Sequence, residues 1–258
     1  MKTLRTLPNE LSSIDIEFDK LYYEGDETLL EREKISIVGS RRPYNYTKNV
    51  VYELAKKLSQ KGLCIVSGAA MGVDAIAHRG AGASNTIAVL GSGVDMPYPK
   101  INKNLIEDIK KNGLVLSQFE PGFIATPWSF VLRNKIVVAL GKVLVVAQAD
   151  LDSGSMRSVE FALKQGKEIY VLPHRLKESE GTNGLLKEGL AKAIYDIDEF
   201  VSKMGSKGQK QEMIKDEFWQ FCANFPKYDD AIKAFGDRVY EAELDGEIEV
   251  KNGVIHLC

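Results

Sequence analysis

Six short apolar runs punctuate the chain between Ile35 and about Pro173: Ile35–Val38, Leu63–Val66, Thr86–Leu90, Leu114–Leu116, Val143–Ala147 and Glu168–Leu172. Most are nearly continuous in apolar residues and rich in β-branched ones, as strands covered on both faces should be. Helical spacing fills the intervals. Thr47–Lys61 places Val50, Val51, Leu54, Ala55 and Leu58 on one side and is stopped by Gly62. Val73–Gly80, Asn102–Asn112, Ser129–Leu140 and Met156–Gln165 read the same way, with Gly166 ending the last. Strands alternating with helices predict an α/β fold built on a mostly parallel, doubly wound sheet.

The pattern changes after residue 200. Val201–Gln211 (VSKMGSKGQKQ) loses apolar periodicity and reads as a linker, which makes residues 1–200 one domain and 212–258 another. In the second, Glu217–Asn224, Tyr228–Phe235 and Asp237–Leu244 look helical. Asn252-Gly253 between Glu247–Lys251 and Val254–Cys258 is a two-residue hairpin signal. That turn sets Lys251 opposite Val254, Val250 opposite Ile255 and Ile248 opposite Leu257. Three helices and a terminal hairpin predict a small winged-helix-like module.

A chain of 258 residues has room for both domains, and its 44% hydrophobic and 27% charged content is ordinary for a globular protein. The formal net charge of −2 means that any affinity for phosphate must come from a local cluster of cations. From Val201 to Cys258 there are eight Lys/Arg against eleven Asp/Glu, and the helix that would read DNA carries Asp237, Glu241, Glu243 and Asp245. That charge repels phosphate, so a protein contact or dimer support suits the module better than groove reading. Cys64, Cys222 and Cys258 form no CxxC pair, and His78, His174 and His256 lack metal-ligand spacing, so no metal is expected. The start has no apolar signal core and no run approaches the roughly 20 residues that span a bilayer, which predicts a cytoplasmic protein without a membrane partner.

In a doubly wound sheet, ligands sit beyond the carboxyl ends of the strands. The loops there read Gly39-Ser40-Arg41-Arg42-Pro43, Ser67-Gly68-Ala69-Ala70-Met71-Gly72, Gly91-Ser92-Gly93, Ser117–Gly122 and Asp152-Ser153-Gly154-Ser155. Small residues let a backbone come close, and helix N-termini offer free N–H groups. GSRRPY is not GxGxxG, and the second strand ends in Ser67-Gly68 with no acid to hold a ribose, so a dinucleotide cofactor is not expected. Gly141-Lys142 and Gly166-Lys167 lack the rest of a phosphate-loop motif, so ATP is not expected either. Asp74 and His78, four apart on a helix, read as a loop-bracing pair, because no GxSxG elbow accompanies Ser67. What remains is a phosphate groove. Arg41 and Arg42 can fork onto one phosphate, while Arg133, Asn134 and Lys135 follow Trp128 and Phe130, a mixture of cations and rings that suits unpaired bases.

These residues carry a resemblance. Gly39-Ser40-Arg41, Ser67-Gly68-x-Ala70-x-Gly72-x-Asp74-x-x-Ala77-His78, Thr86–Leu90 with Tyr98-Pro99, Phe130-x-x-Arg133-Asn134, Ser153-Gly154-Ser155 and Gly181-x-Asn183-x-Leu185 resemble, in order, the DNA-processing protein A (DprA/Smf) family. The resemblance implies an extended Rossmann-type domain, a homodimer and a non-enzymatic role in natural transformation. It also implies binding of incoming single-stranded DNA, its protection, and help in loading the RecA recombinase; duplex DNA is left open. The implied DNA-contacting residues are Gly39, Ser40, Arg41, Ser67, Gly68, Gly91, Ser92, Phe130, Arg133, Asn134, Ser153, Gly154 and Ser155. Lys135 joins them as the cation that replaces a lysine some relatives place ahead of Phe130. Gln148 and Gln118 stand where relatives often have Glu. The alternative is a nucleotide phosphoribohydrolase on a related scaffold, whose PGGxGTxxE signature is replaced here by ADLDSGSMRSVE, residues 149–160.

Overall fold

The computed structural model describes residues 2–12, 20–204, 217–222, 226–244, 248–251 and 253–257. The chain divides into two compact units, Met1–Lys207 and Gly208–Cys258. In the first, strands β1 (Lys2–Thr3) and β2 (Tyr22–Gly25) precede β3 (Lys34–Val38), α1 (Asn45–Gln60), β4 (Cys64–Ser67), α2 (Val73–Ala81) and β5 (Thr86–Val89). Then come α3 (Lys103–Asn112), β6 (Leu114–Ser117), α4 (Pro127–Leu140), β7 (Leu144–Val146), α5 (Gly154–Lys164) and β8 (Ile169–Val171). The unit closes with α6 (Glu180–Lys187), β9 (Lys192–Ala193) and α7 (Ile197–Met204).

The nine strands form one sheet in the order β1-β2-β6-β5-β4-β3-β7-β8-β9. From β6 to β9 every pairing is parallel; β2 runs antiparallel to β6 and to β1. Two-residue alternation divides the strands between two cores. Ile35 and Ile37 of β3 face a layer with Val51, Leu54 and Leu58 of α1, while Val38 faces one with Ile136, Val137 and Leu140 of α4. Cys64 is fully buried in the second core, and burial pushes its thiol up to about 12. The order reverses between β3 and β7. In open α/β sheets ligands bind beyond the carboxyl ends of the strands near such a reversal.

The six apolar runs become β3 to β8, and the intervening helices lie within two residues of the positions read from spacing. The edges depart. β1, β2 and β9 are short and partly polar, so no apolar run announces them. The segment read as opening a linker at Val201 is still helix as far as Met204. Phe200, Val201 and Met204 are buried against the α1 layer, so their spacing is that of a docked amphipathic turn.

In the second unit, α8 (Glu217–Cys222), α9 (Tyr228–Phe235) and α10 (Asp237–Leu244) accompany a hairpin of β10 (Ile248–Lys251) and β11 (Val254–Leu257). The hairpin register pairs Lys251 with Val254, Val250 with Ile255 and Ile248 with Leu257. Phe218, Cys222, Ala231, Val239, Ile248 and Ile255 are its core. Residues 205–211 of the expected linker, and Asn224, Asp245, Glu247, Asn252 and Cys258 of the expected carboxy-terminal elements, lie outside the described residues.

Candidate nucleic-acid interface

The chemistry at the carboxyl edge centres on Phe130, in the second turn of α4. Its ring lies 5.7 Å from the Arg41 guanidinium carbon, 5.9 Å from that of Arg133 and 5.7 Å, centre to centre, from the ring of Tyr98. Gly68, Ala70, Met71 and Pro99 complete the walls of a pocket of about 40 Å³. That volume holds about one water, against roughly 300–1,000 Å³ for a site that encloses a small molecule, so the pocket is a surface feature. Arg41 is exposed, and among the described residues no acid pairs with it or with Arg42. Two cations near one ring, with one cation open to solvent, make a place where a base can stack while its phosphate is neutralised.

Arg133 does a different job from Arg41. It is only 4% exposed, donates from Nη1 to the Val89 carbonyl (3.1 Å) and lies 3.9 Å from Asp74 Oδ2. Burial lowers the Arg133 pKa, and the Asp74 carboxylate pulls it back up. Burial raises the Asp74 pKa, with Arg133 and the N–H groups of Ala70 and Gly68 opposing. The Gly68 and Ala70 N–H groups donate to Asp74 Oδ2 at 3.2 and 3.4 Å. An internal carboxylate thus takes the Ser67–Gly72 loop N–H groups that the sequence pattern assigns to a phosphate. The glycine has another reason: a β-carbon on Gly68 would fall 1.2 Å from Arg133 Nη1. Gly91 serves Phe130 similarly, since its β-carbon would meet Cδ1 at 2.8 Å.

The remaining nominated residues divide. Ser67 Oγ donates to the Ile37 carbonyl (2.6 Å) and Ser92 Oγ to that of Met96 (2.6 Å), so both hydroxyls bolt loops rather than face a ligand. Ser40 Oγ accepts from the Arg42 N–H (3.1 Å), and a β-carbon at Gly39 would press on Val73 Cγ2 at 2.8 Å. Asn134 and Lys135 are half-buried and outside the pocket walls; Lys135 Nζ lies over the Phe161 ring at 5.7 Å. Consecutive helical residues diverge by about 100°, so one turn cannot aim all three side chains at one spot. Ser153, Gly154 and Ser155 begin α5 and do not line the pocket either; Ser153 Oγ is buried and unpartnered at the N-cap.

Asp74 and His78 do not meet. The Thr86 hydroxyl donates to the Ile65 carbonyl (2.8 Å), so it accepts from His78 Nδ1 at 2.6 Å. Burial, and secondarily the Arg133 charge, lowers the His78 pKa to about 3. Gln148 is buried, and its Oε1 accepts from the Tyr44 N–H and the Thr47 hydroxyl, both at 2.9 Å. Three residues here are not among the expected contacts: Tyr98, although Tyr98-Pro99 is one of the stretches that resemble the family, Met71 of the Ser67–Gly72 loop, and Asn102. The Asn102 amide donates to the carbonyls of Ala69 and Ala70, both at 3.0 Å, and so holds Ala69 at a φ of 55°.

Fold and site together define a Rossmann-type α/β protein with an arginine–aromatic pocket at its sheet's carboxyl edge. The model of one family, described as DNA recombination-mediator protein A, matches residues 3–205, and the chain belongs to that family. DNA processing protein DprA of Bacillus subtilis is 35% identical over 189 residues, which cover 71% of this chain and 63% of that protein. The chain therefore spans less than two thirds of that relative's length. A solved structure of DNA processing protein A from Helicobacter pylori, described for its single-stranded DNA binding mode, is 42% identical with a TM-score of 0.77; the match covers 79% of this chain and 94% of that one. The X-ray structure of DprA from Streptococcus pneumoniae is 35% identical with a TM-score of 0.71, over 76% and 70% of the two chains. Among the described residues no helix is long and apolar enough to cross a membrane, and no group of His, Cys, Asp or Glu could hold a metal ion.

Proposed function

We propose that this protein binds single-stranded DNA at the Phe130 pocket and acts, without catalysis of its own, as a recombination mediator in natural transformation. The observation that carries the reading is one aromatic ring flanked by two arginines, one of them exposed and unpaired with any described acid. The small, open pocket supports a strand laid across a face over a nucleotide enclosed as a substrate. The H. pylori relative, described as binding single-stranded DNA, supports the choice of ligand. Within this reading the protein works in the cytoplasm, protects incoming DNA and helps load RecA. The acidic carboxy-terminal unit serves protein contacts there. Homodimer formation has support in exposed apolar side chains toward the β9 edge: Leu176 is 93% and Tyr195 84% exposed.

The test is a titration of labelled single- and double-stranded oligonucleotides at two salt concentrations, with wild type beside Arg41→Ala. Single strands bind more tightly, affinity falls with salt, and loss of one phosphate contact lowers the logarithmic salt slope by about 0.7. Identical affinity and slope in the variant would remove the pocket from the DNA path.

A further inference from the structure

A second aromatic cluster stands on the same edge. Tyr44, the N-cap of α1, and Tyr46, in its first turn, are 49% and 48% exposed. Both lean on His174, which follows β8: the Tyr46 ring meets it edge-on at 5.6 Å and 89°, and the Tyr44 ring lies tilted at 6.5 Å. The cluster is held from beneath. His174 Nε2 donates to the Ala147 carbonyl (2.9 Å), its backbone N–H to Asn183 Oδ1 (3.2 Å), and the Tyr44 N–H to Gln148 Oε1 (2.9 Å). Gln148 also accepts the Ser40 N–H at its backbone carbonyl (2.8 Å), so one residue anchors both the arginine loop and the tyrosines. Rings fixed in this way lose little freedom when a base stacks on them.

Its place relative to Phe130 follows from chain reach. Arg41, which lies over Phe130, is three residues before Tyr44, and three residues span at most about 11 Å. Arg42 lies between them, exposed and unpaired with any described acid. The edge therefore carries the Arg41 guanidinium on the Phe130 ring, a second exposed arginine and the first tyrosine on four consecutive residues. That alternation is the composition of a single-strand track, with phosphates drawn to the cations and bases to the ring faces.

We propose that a DNA strand held at Phe130 continues past Arg41 and Arg42 onto a second stacking platform formed by Tyr44, Tyr46 and His174. The platform rests on the single-stranded-DNA reading and extends it. It makes affinity depend on strand length, because only a strand long enough to cross the arginines reaches the tyrosines.

The experiment titrates labelled oligo(dT) of about 2 nucleotides, a single step of about 3.4 Å when stacked and too short to cross both arginines, and of about 16, the upper end of single-strand site sizes. Wild type, Tyr44→Ala, Tyr46→Ala, Tyr46→Phe and Arg41→Ala are compared, with the mass in solution recorded for each. Each alanine variant of the tyrosines loses about 5-fold or more on the longer strand, the least that one lost stacking contact gives. Their affinity for the short strand is that of wild type, and Tyr46→Phe restores the long-strand affinity because the ring face is kept. Unchanged long-strand binding in both alanine variants overturns the platform, as does an equal loss on both lengths. A loss that accompanies a change in mass assigns the cluster to self-association and overturns the platform too. Arg41→Ala separates the two readings: if it weakens both strands while the tyrosine variants match wild type, the platform fails and the Phe130 site stands. If wild type binds neither strand, both fail.

Discussion

Replacing Gly68 with alanine should act almost wholly through Arg133. Gly68 lies outside the left-handed region, so alanine's backbone is not strained there. Its new methyl, however, would fall 1.2 Å from Nη1 and 2.1 Å from Cζ of Arg133. The guanidinium must leave, giving up the Val89 carbonyl and the contact with Asp74. Removing one partner from a buried ion pair costs about 3–5 kcal/mol. Gly68→Ala should lose about that much, and Arg133→Ala a similar amount, because each leaves Asp74 buried without its cation. In the double variant the methyl enters space already vacated, so it costs little more than Arg133→Ala alone. The coupling between the two changes is then at least about 2 kcal/mol, as expected for residues in direct contact. Urea unfolding of wild type, both single variants and the double variant, followed by circular dichroism and compared at equal m-values, measures it. Additivity within about 0.5 kcal/mol would refute the account of why position 68 is glycine.

Two further perturbations test the framework outside the pocket walls. Because His78 is held near 3 when folded and titrates near 6.5 when unfolded, the unfolded chain takes up a proton that the native ring refuses as pH falls below 6.5. Stability should drop by about 1.4 kcal/mol per pH unit across that window, about 2 kcal/mol by pH 5, and His78→Gln should lack this component. Parallel pH profiles for the two proteins would sink the assignment. Lys167 Nζ donates to the Val138 carbonyl (2.7 Å) and to those of Ala139 and Gly141, capping the carboxyl end of α4. Lys167→Met should cost about 1–3 kcal/mol in thermal or urea unfolding, and a change under about 0.5 kcal/mol would show the cap to be dispensable.

The central sheet was legible because strands buried on both faces must be apolar at nearly every position, which is a signal available without knowing the fold. Edge strands carry no such obligation. β2 reads Tyr22-Tyr23-Glu24-Gly25 and β9 only Lys192-Ala193, and their pairing is a property of the neighbours that accept them. Ile197, Phe200, Val201 and Met204 did hold helical spacing, but the polar stretch after Met204 obscured it. At the site, residue types pointed to Arg41, Phe130 and Arg133, and the structure places these three together. Their division of labour was not readable. Whether Arg133 or Lys135 faces the sheet depends on how α4 lies across β3, β4 and β5, and the Asp74 carboxylate, in the first turn of α2, is taken by the Gly68 and Ala70 N–H groups through a loop conformation that residue types do not specify. Asn102 reaches the site across a long separation and leaves no trace in any local pattern, while Tyr98 shows only as part of the stretches that resemble the family.

The pocket around Phe130 is assembled from four separate stretches of chain: Arg41, the loop from Gly68 to Met71, Tyr98-Pro99, and the turn from Phe130 to Arg133. A nascent chain that ends before α4 would own the arginine loop and the glycines but no ring for Arg41 to cover, and Asp74 would lack its cation. A misdocked α4 would have the same effect in a finished chain. The complete pocket is thus a readout of finished folding, and unfinished or damaged copies lack the ring and paired arginines that intact ones present.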